Sequence, residues 1–200
     1  MKSIIKKLIR ETLNEIAPEP KEMFGLGSYH AVYQSKKNPN RLYKIGTESV
    51  VKKWVDIFKR YPQYFPKIYR VFQSSKNPDL YVVEIEKLST KQASYDLSLI
   101  DEFLIEHYKD LTCDKHITIH NFFNSKCMYQ IEEILEESDD IYDMHLLPIM
   151  KKWAKFLSEV YPMIEAELNV GKNARNSVML DLHVGNVAYD NSGNIKLIDI

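Results

Sequence analysis

The chain has few cysteines, almost no net charge and no long apolar run, and each of these absences excludes a class of protein. Cys113 and Cys127 are the two cysteines; they fit a reducing cytoplasm and cannot form a zinc site by themselves. We expect two unpaired thiols, with a disulfide between them as the alternative. A formal net charge of −1 provides no overall field for nucleic acid or an anionic membrane. No apolar run approaches the length that spans a bilayer, so a cytoplasmic protein without a membrane span is predicted.

The composition is that of an ordinary globular protein. Hydrophobic residues make up 44% of the chain and charged residues 28%, which is the usual balance for a soluble domain. A length of 200 residues allows one domain or two small lobes that share a core. Neither an internal repeat nor a low-complexity segment is present.

Residues 1–20 are predicted to form an amphipathic helix and a linker, because apolar residues recur at helical spacing and basic residues take the other face. Interruption by charge excludes a signal peptide. The helix either lies on a membrane, binds a partner or packs on the domain behind it, and we favour packing. Pro18 and Pro20 end it. The apolar positions are Ile4, Ile5, Leu8, Ile9, Leu13 and Ile16.

Residues 21–88 predict a small antiparallel sheet with one helix. Residues 24–45 alternate strand, turn, strand, turn and strand, and residues 68–72 and 80–85 indicate two further strands. Between them, a helix is expected from a Thr47 cap to about Arg60. Its buried face is predicted to carry Val51, Trp54, Val55 and Phe58.

Residues 89–200 are predicted to be mostly helical. Helices are expected over 97–108 and 128–137, and the polar region between them, within an insertion at about 90–140, is a candidate lid. A long helix from about 141 to 168 follows. Its core positions are predicted to be Leu146, Leu147, Met150, Trp153, Ala154, Leu157 and Val160.

The most informative stretch begins with Asp181-Leu-His-Val-Gly-Asn186 and ends at Asp199. Short apolar strands at 187–189 and 195–198 flank a polar turn, which predicts a tight hairpin. Phosphoryl transfer requires one carboxylate that orients the attacking hydroxyl. It also requires an amide oxygen and a second carboxylate that hold metal ions on the nucleotide phosphates. The spacing of the three residues therefore predicts a nucleotide site.

This stretch resembles the catalytic and metal-binding loops of the protein kinase-like superfamily, and its wording is closest to the aminoglycoside and choline phosphotransferase branch. The resemblance covers most of the chain, from Phe24 to Asp199. It implies an α+β, two-lobed fold with a five-stranded antiparallel amino-terminal sheet plus a helix, and an abbreviated, mostly helical carboxy-terminal lobe. It also implies ATP and Mg²⁺ as cofactors, and a hydroxyl-bearing small molecule or a protein serine or threonine as acceptor.

The resemblance assigns roles to the residues of the hairpin stretch. Asp181 would position the acceptor hydroxyl and take its proton, and Asn186 and Asp199 would hold Mg²⁺. His183 would contact the γ-phosphate or buttress the loop, and both readings stay open. Ala188 would form part of the floor under adenine.

In the amino-terminal lobe, Gly25, Gly27 and Ser28 resemble the glycine-rich loop that covers the ATP phosphates. Glycine lets backbone amides approach an anion closely. His30 stands where the third glycine of the family usually lies, so loop closure is expected to differ. Val32 would cover the adenine by apolar contact.

Lys44 matches the lysine that contacts the α- and β-phosphates. The family pairs this lysine with a helix acid, and the candidates here are Glu48, which we prefer, and Asp56. The adenine hinge that follows the fifth strand would use the backbone at Glu84 and Glu86.

The chain departs from the family after Asp199. No glycine follows that acid, and the sequence ends at Ile200, before the activation segment and lower helices of protein kinases. Three explanations stay open: a stretch of a longer polypeptide, an abbreviated fold, or a missing half supplied by a partner or a second copy. A kinase-like binding or regulatory protein without turnover is the alternative function.

Overall fold

The computed structural model describes residues 11–12, 14–15, 21–26, 30–107, 110–111, 119, 122–138, 141–167 and 186–198. The chain divides between Leu88 and Ser89 into two compact units. Within the described ranges, seven strands form two antiparallel sheets and four named helices accompany them. The α+β composition and the antiparallel strands expected from the sequence are therefore confirmed.

The amino-terminal unit contains a five-stranded sheet in the order β1-β2-β3-β5-β4, with antiparallel neighbours throughout. One helix, α1, connects β3 to β4. Short connections explain why sequential strands pair, since antiparallel strands can be joined by tight turns. The elements are β1 Lys21–Leu26, β2 His30–Ser35, β3 Arg41–Thr47, α1 Glu48–Arg60, β4 Ile68–Gln73 and β5 Leu80–Glu86.

Hydroxyl side chains close two of the turns. Ser35 Oγ accepts the amide of Asn38 at 2.9 Å, and Ser74 Oγ accepts the amide of Asn77 at 3.0 Å. Each serine thereby satisfies a backbone donor that lies outside the sheet, as hydroxyl groups commonly do in turns.

The two faces of this sheet are covered differently. Tyr43, Ile45 and Val82 form a buried cluster on one face, with Tyr33 and Phe72 packed against it. On the other face α1 packs through Trp54, whose ring lies below the ammonium of Lys44. The predicted buried face of α1 is confirmed, and Ile57 joins it. Alternation along the strands and the helical period of α1 account for both layers.

The described part of the N-terminal helix contacts the turn between β4 and β5. Glu15 accepts hydrogen bonds from the amide of Ser75 at 2.6 Å and the hydroxyl of Ser74 at 2.9 Å. The bonds with Ser75, the largest cause, lower the pKa of Glu15 to about 2. Thr12 is completely buried. These contacts favour packing on the sheet unit. None of the helices in the described ranges is long and apolar enough to cross a membrane.

The carboxy-terminal unit contains three helices and one hairpin. Helix α2 begins at Lys91, six residues before the predicted start, because its first turns bury Ala93 and the acid Asp96, which interrupts the apolar pattern. In α4 the predicted core positions are buried, apart from Leu147, which is half-buried. The elements are α2 Lys91–Glu106, α3 Ser125–Glu137, α4 Ile141–Glu167, β6 Val187–Tyr189 and β7 Ile195–Leu197.

Cys127 lies buried on α3 and is disulfide-bonded. The expectation of two unpaired thiols is therefore wrong for this residue. Cys113 is the other cysteine in the sequence and lies outside the described residues. Sequence spacing cannot decide such a pairing, because a disulfide depends on how close the two Cα atoms lie in the fold.

Candidate functional site

Lys44 lies in the interior of the amino-terminal sheet. It pairs with Val32 of β2 on one side and with Val83 of β5 on the other. Only 3% of its surface is exposed, and its Nζ lies 5.0 Å from the centroid of the Trp54 ring. Lysine is rarely this buried, because its ammonium group requires polar or charged partners when it is removed from water. Cross-strand pairs share a face, and the structure thus brings together two predicted residues, Val32 and Lys44.

Glu48, the preferred acid for Lys44, has other partners. Its carboxylate bonds to the ammonium of Lys52, one helical turn away on α1, and accepts the Tyr81 hydroxyl at 3.4 Å. The bond from Lys52 lowers the pKa of Glu48. Residues four positions apart lie side by side on a helix, which explains why Glu48 pairs with Lys52. The pairing of Glu48 with Lys44 is thus not the one that the structure shows, and Asp56 is exposed.

Glu84 is a buried carboxylate held by two arginines. It is 1% exposed, and it accepts bonds from Arg41 Nη1 and, at 2.7 Å, from Arg70 Nε. Its backbone pairs with β3 and β4, so it lies inside the sheet rather than at a strand exit. Glu84 shares a face with its cross-strand partner Tyr43, opposite to Lys44. Its side chain therefore stabilises the sheet.

Glu84→Gln is expected to lower the free energy of unfolding by about 2 kcal/mol at pH 7, because charge-assisted bonds to both arginines weaken. Burial alone would raise the pKa of Glu84, but the hydrogen bonds from Arg41 and Arg70 outweigh it and lower that pKa. A depressed folded-state pKa means that the contribution is complete above the unfolded-state pKa, near 4.5, and is lost as the pH falls through the folded-state pKa.

Urea unfolding of wild type and Glu84→Gln between pH 7 and pH 3 tests this expectation. The difference in stability between the two proteins should shrink as the pH falls below the unfolded-state pKa. A pH-independent difference would contradict the assignment to a charged carboxylate. Glu86→Gln, which changes an acid two residues further along β5, serves as the matched control.

Glu86 is the last residue of β5. Its amide donates to the carbonyl of Lys67 at 2.9 Å, and the next amide, from Lys87, donates to the carbonyl of Asn40 at 2.9 Å. Both donors are therefore used within the sheet unit. These two amides are therefore not available as donors to a ligand.

Gly25 lies in β1 and pairs with Val32, after a shift in register between Met23 and Gly25. A shift of this kind inserts an extra residue and increases the local twist of the strand. Gly27 and Ser28, the other predicted residues of the phosphate loop, lie outside the described residues.

The hairpin expected after Asn186 is present. Val187 pairs with Leu197, and the amide of Ile198 donates to the carbonyl of Asn186 at 2.9 Å. Asn186 therefore lies beside the residue that precedes Asp199 in the sequence. The hairpin thus brings the backbone of the two candidate metal-binding stretches into register at its open end.

Asp190 organises the turn of the hairpin. Its carboxylate accepts the amides of Ser192 and Asn194 at 2.9 and 2.8 Å, and Lys196 Nζ lies 3.6 Å away. Burial works against the charge, but these bonds, led by those from Asn194, lower the pKa of Asp190. Gly193 adopts φ +78°, a left-handed conformation that L side chains rarely adopt.

The two faces of the hairpin differ. Strand alternation places Ala188 on one face of β6, and places Val187 and Tyr189 on the other. Ala188 is completely buried and pairs with Lys196.

Asn186 is the one predicted metal-binding residue within the described ranges; Asp181, His183 and Asp199 lie outside them. Over those ranges, no group of three histidine, cysteine or acidic side chains could hold a metal ion. An asparagine oxygen is a suitable hard donor for Mg²⁺, which also keeps water and phosphate ligands. The donor chemistry of Asn186, together with the sequence position of Asp199, fits Mg²⁺.

Asp96 is a buried polar residue that the sequence reading missed. Its Oδ1 accepts Gln92 Nε2 at 2.7 Å, and its Oδ2 accepts the Tyr189 hydroxyl at 2.5 Å and Trp153 Nε1 at 3.4 Å. The signal was available: an acid that stands within the apolar stripe of a helix is expected to be buried with partners.

No protein-family model and no curated protein matches the chain. Among solved structures, the streptomycin–ATP ternary complex of APH(2'')-IIa is 14% identical, with 96% of this chain and 69% of that chain covered and a TM-score of 0.35. An aminoglycoside phosphotransferase from Alicyclobacillus acidocaldarius is 15% identical, with 95% and 64% covered and a TM-score of 0.33.

A third similar structure is ADP-bound aminoglycoside phosphotransferase APH(2'')-Ib. It is 12% identical to the chain, with 96% of this chain and 72% of that chain covered and a TM-score of 0.34. The chain thus spans 64% to 72% of the length of the three phosphotransferases.

Proposed function

We propose that this protein is an ATP- and Mg²⁺-dependent phosphotransferase with a kinase-like fold, which moves the γ-phosphoryl group to a hydroxyl. The acceptor is a small molecule or a protein serine or threonine. The proposal joins the hairpin motif of the sequence to two features of the described structure, the environment of Lys44 and the register of the β6–β7 hairpin.

The burial of Lys44 is the observation that carries the proposal. Lysine is seldom placed inside a sheet, because its ammonium group must be compensated there by polar or charged groups. A buried, precisely held cation beside the apolar Val32 and Val83 is suited to a phosphate group near an apolar ring. This is the role that the sequence resemblance assigns to Lys44.

The hairpin supports the proposal from the carboxy-terminal unit. Asn186 directly precedes β6, which contains Ala188, and the Ile198 amide bonds to the Asn186 carbonyl. In the proposed reaction, Asn186 and Asp199 hold Mg²⁺, which when bound neutralises charge on the phosphates. Asp181 orients the acceptor hydroxyl and accepts its proton as the oxygen bonds to the γ-phosphorus. ADP is the leaving group.

Thermal unfolding with ATP and Mg²⁺ tests the nucleotide site directly. A ligand at 100 times its dissociation constant stabilises the native state by about 2.7 kcal/mol, which for a chain of this length raises Tm by roughly 5–10 °C. We expect this rise with ATP and Mg²⁺ together, and a smaller one with either alone. Unchanged Tm values up to millimolar ATP and Mg²⁺ would contradict the proposal.

A kinase-like nucleotide-binding regulator without turnover is the second candidate. Two observations favour it: Glu48 bonds to Lys52 rather than to Lys44, and His30 begins β2 where the family usually has a glycine. Transfer of labelled phosphate separates the candidates, because both bind ATP but only the enzyme incorporates label.

A further inference from the structure

Tyr189 anchors the β6–β7 hairpin to the helices of the carboxy-terminal unit. Its hydroxyl donates to buried Asp96 on α2, and its amide donates to the carbonyl of Ser89 at 3.1 Å. From α4, Lys152 Nζ lies 4.0 Å from its ring centroid, and the Trp153 ring meets it edge-on at 6.4 Å. Two helices therefore hold the Tyr189 side chain, and the segment before α2 holds its backbone.

Asp96 is the centre of this arrangement. It is 4% exposed and accepts from three donors, on α2, α4 and β6. A buried carboxylate is costly, and a fully apolar contact between helix and hairpin would stabilise as well or better. A carboxylate differs from an apolar residue because its hydrogen bonds are directional, so they fix the position of the tyrosine ring.

Asn186 immediately precedes β6, three residues before Tyr189, and its carbonyl accepts the Ile198 amide. Because β6 has only three residues, a shift at Tyr189 moves Asn186 as well. We propose that Asp96 and Tyr189 are positioning residues, which fix the hairpin on α2 and thereby direct Asn186 toward Mg²⁺. This inference rests on the proposed function, and outer-shell partners of this kind commonly tune metal sites.

The experiment compares Asp96→Asn and Tyr189→Phe with wild type, using amide exchange of Ile198 as the readout on the hairpin. We expect this amide to exchange about tenfold faster in both variants, since each loses a hydrogen bond to a charged group. Tyr161→Phe is the control, because Tyr161 is a half-buried tyrosine of α4 stacked on Phe123. It should leave Ile198 exchange within about twofold of wild type.

The second readout is the Mg²⁺ concentration for half-maximal nucleotide binding, measured at one fixed ATP concentration that does not saturate the protein without Mg²⁺. Asp96→Asn and Tyr189→Phe should raise it by about tenfold, while Tyr161→Phe leaves it unchanged. A third readout is spectroscopic: burial and the bond to Asp96 raise the pKa of Tyr189 well above its ordinary value, and Asp96→Asn should lower it.

Unchanged Ile198 exchange in both variants would overturn the proposal, as would an unchanged Mg²⁺ requirement when wild type binds Mg²⁺ and ATP. If wild type binds neither, the proposed function fails, and the acceleration of Ile198 exchange still decides whether Asp96 and Tyr189 position the hairpin. Two isosteric variants are used, so that the test can still be made if one of them does not fold.

Discussion

Lys44→Met is expected to reduce phosphoryl transfer by at least about 100-fold while the protein stays folded, as removal of a single preorganised charge at a reacting phosphate commonly does. Methionine keeps the unbranched stem that packs between Val32 and Val83 and against Trp54. It removes only the ammonium group.

The measurement is transfer from labelled ATP, together with Tm, for Lys44→Met and for the control Lys52→Met. Lys52 lies on α1 in the same unit, and its ion pair with Glu48 is largely exposed. Exposed pairs contribute little, so the control should stay within about twofold of wild type in transfer. Equal transfer by Lys44→Met and wild type would remove Lys44 from its assigned role and with it the main support for the proposal.

The elements with a clear period could be predicted from the sequence. Alternating apolar residues identified the strands around Tyr43 and Val82, and helical spacing identified the buried side of α1, including Trp54 and Phe58. The hairpin after Asn186 followed from its turn residues, and Asp190 and Gly193 have the roles that turn chemistry predicts. Each of these elements is determined by residues that are close together in the sequence, so it could be predicted from the sequence.

Buried polar residues could not be placed in the same way. The sequence analysis did not single out Asp96 and expected only the backbone of Glu84 to act, because burial of a carboxylate depends on donors that are distant in sequence. Those donors are Tyr189 and Trp153 for Asp96, and Arg41 for Glu84. The bond between Cys127 and another cysteine is likewise a property of the fold. Such pairings require three-dimensional proximity, which a periodic pattern does not contain.

The acid that would pair with Lys44 could not be predicted from the sequence either. We preferred Glu48 because it borders the apolar face of α1. Its carboxylate instead forms an ion pair with Lys52, one helical turn away. A local pair one helical turn away needs little ordering of the chain, whereas a pair across the sheet requires a specific approach of helix and strand. Helix position alone therefore could not identify the partner.

Asp181→Asn is expected to lower phosphoryl transfer by about 1,000-fold while nucleotide binding stays within a few-fold of wild type, since general-base groups contribute roughly 10²–10⁴ in rate. Asparagine has nearly the same shape and still accepts a hydrogen bond, but it cannot take the proton of the acceptor hydroxyl. The ATP-induced rise in Tm should therefore persist in this variant, which separates loss of catalysis from loss of binding.

Label transfer from γ-labelled ATP is measured with wild type, Asp181→Asn and the control Asp190→Asn, using water, aminoglycosides, choline and serine or threonine peptides as acceptors. Asp190 is an acid of the same stretch, but it serves the hairpin turn, and an asparagine there still accepts the amides of Ser192 and Asn194. The control should therefore retain most of the transfer. Equal incorporation by wild type and Asp181→Asn would exclude Asp181 as the base. An ATP-induced rise in Tm without any transfer by wild type would instead establish a nucleotide-binding protein, and Lys44 would then serve binding alone.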